Sequence, residues 1–232
     1  MLKNFAEKII SFYKVVDYQD SLPSGLSVMN PFRENPDILP VITQFYQKFY
    51  SDNNLRHLIL GINPGRHGAG VTGIPFTDTK RLTEKCGLSI AGLQTFETSS
   101  VFVYEMIDAF GGTEKFYGNF YISSVSPLGF TSIGKNGNEV NYNYYDSREL
   151  TDAVYDFMIS SIELQLDFGI KREVCFCLGT GKNYKFIEAL NSKKKYFSRV
   201  IPLEHPRYIM QYKSKHKEQY ISKYIAHLSS VL

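Results

Sequence analysis

Cysteine is scarce in this chain. Its 232 residues hold only Cys86, Cys175 and Cys177, an odd set with no C-x-x-C pair. That excludes a disulfide framework, a structural zinc and a four-cysteine iron-sulfur cluster, and neither metal nor cofactor is expected. Long apolar runs are also missing. No stretch of 18 or more apolar residues occurs, so no membrane partner is expected. The amino-terminal MLKNFAEKIISFYK mixes charged and apolar residues as an amphipathic helix does, unlike a signal peptide. The expectation is a soluble, cytoplasmic protein that acts as a monomer. At 43% hydrophobic the chain can bury a full core, so a single domain over residues 1–232 is the default.

A net charge of one strong sign is lacking as well: the balance is +3. The charge is nevertheless uneven. From Lys171 onward 13 Lys and Arg face 4 Asp and Glu, whereas residues 1–170 carry 13 against 19. A basic final third beside a mildly acidic remainder suits a polyanionic partner on one face, and equally a solvated lysine-rich surface.

What is present is a glycine-rich stretch after a short apolar run. Leu58-Ile59-Leu60 fits a strand buried on both faces, and it runs into Gly61, Gly65, Gly68, Gly70 and Gly73 with Pro64 and Pro75 between. Ligand loops are built this way, and in parallel α/β sheets they lie beyond the carboxyl ends of strands. The nucleotide fingerprints fail. G-x-G-x-x-G is interrupted by Pro64, and Gly179-Thr180-Gly181-Lys182 lacks the upstream glycine of a phosphate loop.

The remaining chain alternates strand and helix patterns, which predicts a three-layer αβα sandwich around a four-stranded parallel sheet. The strands are placed at 57–61, 119–124, 173–178 and 199–203. Helices are expected at 3–18, from Pro36 with Asn35 as cap, at 79–86, at 99–110 ending on Gly111 and Gly112, from Ser147, after Gly181, and at 215–231. Residues 21–35 are expected to be irregular, and the Gly-, Asn- and Tyr-rich segment running to Ser147 to be a surface loop.

The last strand exits into Glu204-His205-Pro206-Arg207-Tyr208. With all strands parallel, Asn63 and His205 share one sheet edge. Asn cannot take a proton at neutral pH but can orient a water, and His can donate to charge developing on a leaving group. The pair suits departure of an anion before water attacks firmly, as in cleavage of an N-glycosidic bond through an oxocarbenium-like state.

The segment GINPGRHGAGVTGIPF, followed far downstream by a strand and His-Pro, resembles the two signature motifs of the uracil-DNA glycosylase superfamily, most of all its single-strand-selective monofunctional branch. That branch carries G-x-N-P-G with T-G-V-P-F at the same spacing. The resemblance spans residues 29–208 in outline, and only the two loops match residue by residue. It implies DNA, single- or double-stranded, as partner. It implies that Asn63 positions the attacking water, His205 stabilises the anionic oxygen of the departing base, Phe76 stacks on that base, and the backbone around Ile62 and Gly65 lines its pocket. Two departures stand out. Ser124 occupies the place of an Asn that reads the uracil edge, and a hydroxyl cannot reproduce the paired donor and acceptor of an amide. Where the family continues Ser-Pro after His-Pro, this chain has Arg207-Tyr208-Ile209-Met210, from which chemistry alone suggests Arg207 for a phosphate and Tyr208, Ile209 or Met210 as a wedge; the basic final third adds Lys213 as a second phosphate contact. A catalytically silent nucleic-acid-binding module of the same fold is the alternative these departures suggest. A general nucleotide-binding protein rests on fold alone.

Overall fold

The computed structural model describes residues 3–232. Its main sheet has four parallel strands: β2 (Arg56–Gly61), β3 (Phe120–Ser124), β6 (Ile170–Leu178) and β7 (Arg199–Leu203), in the order β3-β2-β6-β7. The register sets Gly61 beside Ser124, and Leu60 beside Cys177. All six residues of β2 and all five of β3 are buried, as continuous apolar runs in a doubly covered sheet require.

Successive strand residues point to opposite faces, and β3 shows which helices cover each. Tyr121 meets Phe5 and Tyr50, so helices Phe5–Val15 and Ile38–Tyr50 lie on one face. Phe120 meets Phe110 and Phe116, which puts Thr98–Phe110 on the other. Phe102 of that helix packs edge-on against Tyr224, which brings Lys217–Ser229 to the same side. At the foot of β2, Arg56 is fully buried; it pairs with Asp52 at 2.8 Å and lies over the rings of Phe5 and Tyr50. The three cysteines are buried in this core. No helix of the described residues is long and apolar enough to cross a membrane.

The structure corrects four expectations. The segment expected to be a surface loop forms β4 (Gly129–Ile133) and β5 (Glu139–Tyr142), and residues 21–35 contribute β1 (Leu26–Met29) and a helical turn, Pro31–Glu34. Together they make a second, antiparallel sheet in the order β1-β4-β5. Its exposed edge and half-polar strands hide the alternation that marks a strand. The regular helix begins at Ile38 rather than Pro36, with residues 36–37 forming the turn that leads into it; the Asn35 side chain nonetheless accepts the Asp37 N–H at 2.9 Å, as an amino-terminal cap does. Finally, the chain does not remain a loop after His205. Pro206–Tyr212 is a helix with His205 as cap and Pro206 at its first position, where a missing N–H costs nothing.

Candidate active site

The loop after β2 continues the pairing of the sheet. The N–H groups of Val125 and Ser126 donate to the carbonyls of Gly61 and Ile62, both at 3.1 Å, so the exits of β2 and β3 stay side by side. The loop then folds on itself. The Gly65 carbonyl accepts from the N–H groups of Gly68 and Gly70, and the turn Ala69–Thr72 ends on Gly73 at φ 71°, a left-handed position that suits glycine. Thr72 Oγ1 donates to the Thr77 carbonyl at 2.6 Å and locks the return. Phe76, held between these bonds, has φ 52°. Such backbone in a residue with a side chain persists only where its surroundings over-determine it, and it is concentrated at ligand sites. The Phe76 ring edge lies over Gly61, where a Cβ would come within 3.3 Å of both Phe76 Cε2 and Ser124 Oγ.

His205 arrives from β7. Its ring is 5.6 Å from that of Phe76, inclined by 50°. Nδ1 accepts the N–H of Arg207 at 3.1 Å. An accepting Nδ1 carries no proton, so the neutral ring bears its proton on Nε2. Burial, with Arg207 beside it, lowers the imidazole pKa to about 4. His205 is therefore a neutral donor throughout the physiological range, the form that polarises a developing oxyanion without giving up its proton.

Asn63 is held more tightly than a water-orienting residue requires. Its Nδ2 donates to the carbonyls of Tyr142 at 3.2 Å and Pro64 at 3.3 Å, and its Oδ1 accepts the Tyr144 N–H at 3.1 Å. The amide thus grips the backbone on both sides of Asn143 as a neighbouring strand would. One Oδ1 lone pair is left over for a water. The neighbouring Asn141 makes a parallel link, its Oδ1 accepting the Arg66 N–H at 2.9 Å. The whole 141–144 stretch is sewn to the central loop.

These elements enclose a cavity of about 250 Å³ lined by Ile62, Asn63, Gly65, Phe76, Ser124 and His205, with Arg207 and Tyr208 at its rim. Eight of the nine residues singled out in the sequence therefore meet in one place. Lys213 does not line it; it caps the carboxyl end of Pro206–Tyr212 and is exposed. Tyr208 is 44% exposed and rests against Tyr212, ring centroids 5.5 Å apart. The sequence did not reveal Asn141, Asn143 and Tyr145, which reach the cavity from the second sheet, nor Glu97, which enters from the start of Thr98–Phe110. Asn141 lies in β5, whereas Asn143 and Tyr145 lie in the turn that follows it, so no single period links the three. The volume lies just under the roughly 300–1,000 Å³ of ordinary ligand pockets and suits a single base.

A parallel sheet whose carboxyl edge gathers Asn63, Phe76 and a neutral His205 around a base-sized cavity is the fold and site of a DNA glycosylase. The family model described as the Uracil DNA glycosylase superfamily matches residues 47–229, and the chain belongs to that superfamily. Among solved structures it is similar to one titled as the crystal structure of wild-type SMUG2 from Pedobacter heparinus, with 54% identity, a TM-score of 0.97 and 99% of each chain covered. A search of curated proteins gives no match.

Proposed function

We propose that this protein is a monofunctional glycosylase that hydrolyses the N-glycosidic bond of uracil or a 5-substituted uracil in DNA. The observation that carries the reading is the neutral His205 imidazole, fixed as an Nε2–H donor by the Arg207 N–H and set beside Phe76 at the end of the sheet. In this reading the flipped base stacks on Phe76 between Ile62, Gly65 and Ser124. As the bond to the sugar lengthens, its electron pair moves onto the base, and His205 Nε2–H stabilises the charge on the base oxygen. Asn63 presents its remaining Oδ1 lone pair to the water that attacks the sugar. No lysine lines the cavity, which fits hydrolysis without a Schiff base or strand nicking.

Arg207 and Lys213 meet phosphates, and Tyr208 occupies the gap left by the extruded base. Residues 1–232 act as one domain, as a monomer in the cytoplasm, without metal or cofactor. Incubation with uracil-containing single- and double-stranded oligonucleotides followed by alkali tests the reading. Cleavage at the uracil position is expected in at least one of the two; intact strands across a panel of deaminated and oxidised bases would overturn it.

A further inference from the structure

The cavity contains a single carboxylate. Glu97 stands at the amino end of Thr98–Phe110, yet its side chain does not cap that helix; it lines the cavity. Its stem is anchored, because the Glu97 N–H donates to Asp78 Oδ2 at 2.8 Å, and buried Asp78 is held in turn by Arg81 at 3.1 Å. The central loop makes way for the carboxylate. A Cβ at Gly68 would sit 2.0 Å from Glu97 Oε2, and one at Gly65 3.5 Å from Oε1. Burial raises the Glu97 pKa, Asp78 adds to the rise, and Ser99 and Arg207 oppose it.

Hydrolysis leaves a proton to be placed. The attacking water loses one, the Asn63 amide cannot accept it, and His205 cannot either, because Nε2 is already protonated and Nδ1 is occupied by the Arg207 N–H. We propose that Glu97 is a catalytic residue of this glycosylase, the general base that takes the proton of the attacking water. This role rests on the base-release reading above. The step balances: the bond from C1′ to the base breaks with its electron pair leaving on the base, the water oxygen bonds to C1′, and the water proton passes to the Glu97 carboxylate. The base anion is then protonated by solvent, and Glu97 returns its proton to solvent.

The test is single-turnover base release between about pH 4 and 8, beside DNA binding and thermal melting, for the unmodified protein, Glu97→Gln and Gly68→Ala. Removing a general base typically slows the chemical step by about a hundred-fold or more. Glu97→Gln should lose that much while binding and melting hold. The unmodified rate should rise with pH through the raised carboxyl pKa and then level, and Glu97→Gln should lose that limb. Gly68→Ala should lose rate by displacing the carboxylate. An unchanged rate in Glu97→Gln, or a slowed variant that keeps the acidic limb, overturns the role. His205→Ala separates the two readings: if it is slow while Glu97→Gln is normal, only the role of Glu97 fails, whereas an unmodified protein that releases no base removes both.

Discussion

The two walls of the cleft differ in where their geometry comes from. The wall from Ile62 to Phe76 is shaped almost wholly by itself: the turn on Gly73, the Gly65 carbonyl with its two N–H partners, and the Thr72 hydroxyl all act within a few residues. The wall from Glu139 to Tyr145 is built by pairing with β4, Phe130 opposite Tyr142, and is fixed against the first wall through Asn63 and Arg66, some 75 to 81 residues earlier in the chain. A wall with local causes can be read from sequence and tolerates loss of one partner. A wall with distant causes is invisible in sequence and depends on the partner that holds it.

The contrast is sharpest at Asn63 and His205, the pair proposed to carry the chemistry. His205→Ala removes a preorganised donor and should slow single-turnover base release on the order of a hundred-fold or more, about 3 kcal/mol. Its structural share is one helix cap, typically about 1 kcal/mol, so melting should fall little and DNA affinity barely change. A residue that only positions water would affect chemistry alone when replaced, but the structure predicts more for Asn63→Ala. It leaves the buried Tyr144 N–H without its acceptor, so alongside slower release a loss of about 2 kcal/mol is expected, or roughly 4–8 °C in melting temperature. If Asn63→Ala melts like the unmodified protein, the second wall does not hang on Asn63. Tyr144→Phe tests the far side of the same wall: it removes a 2.7 Å bond to the Asn183 side chain, both groups buried, and should cost about 1–2 kcal/mol of stability, with less effect on rate than Asn63→Ala.

Smaller effects are expected at the rim. Arg207→Ala should flatten the salt dependence of DNA binding by up to about one unit, as loss of one phosphate contact does. Lys213→Ala, outside the cavity lining, should do no more than that. An unchanged slope for both moves the DNA face elsewhere. The imidazole of His205 also makes stability pH-dependent. Its pKa falls from 6.5 to about 4 on folding, so the unfolded chain binds the extra proton first, and its contribution is present above about 6.5 and lost as pH falls toward 4. Acid melting curves of His205→Ala should therefore be flatter over that window than those of the unmodified protein.

How much could be read in advance follows the same division. β2 and β3 were legible because fully covered strands are short apolar runs, and β7, an edge strand with only Leu203 buried, was placed residue for residue at Arg199–Leu203. β6 begins at Ile170, earlier than expected, because Lys171 to Glu173 are polar and partly exposed although they lie in the strand. The Ser147 cap and the Gly111 stop were visible because side-chain capping and left-handed glycine are local chemistry. β4 and β5 were missed although they form a local hairpin, Ile133 opposite Glu139 around Asn136-Gly137, because their half-polar residues blur the alternation; the partner on the other side of β4, β1, lies about a hundred residues away, Leu26 opposite Ser132. The short helix Thr113–Asn119 was missed for want of an apolar period in seven residues. In the site, Asn63 and His205 were legible by motif, but that Asn63 is also a clasp was not, since its partners are backbone atoms and carry no residue signature. Glu97 had only a faint trace: an acid at a helix start that leaves its own helix uncapped.

The grip of Asn63 on residues 142–144 also bears on how this site can change over evolutionary time. An aspartate at position 63 would be able to take a proton itself, and the substitution is small. Yet it would abolish both donations, to Tyr142 and Pro64, and set a negative oxygen near two carbonyl oxygens now 3.2 and 3.3 Å from the amide nitrogen. A lineage moving by single substitutions would cross a valley of misassembled clefts before reaching any gain in chemistry, unless the 142–144 backbone were rebuilt first. The architecture of the second wall thus limits which catalytic residues the first can explore.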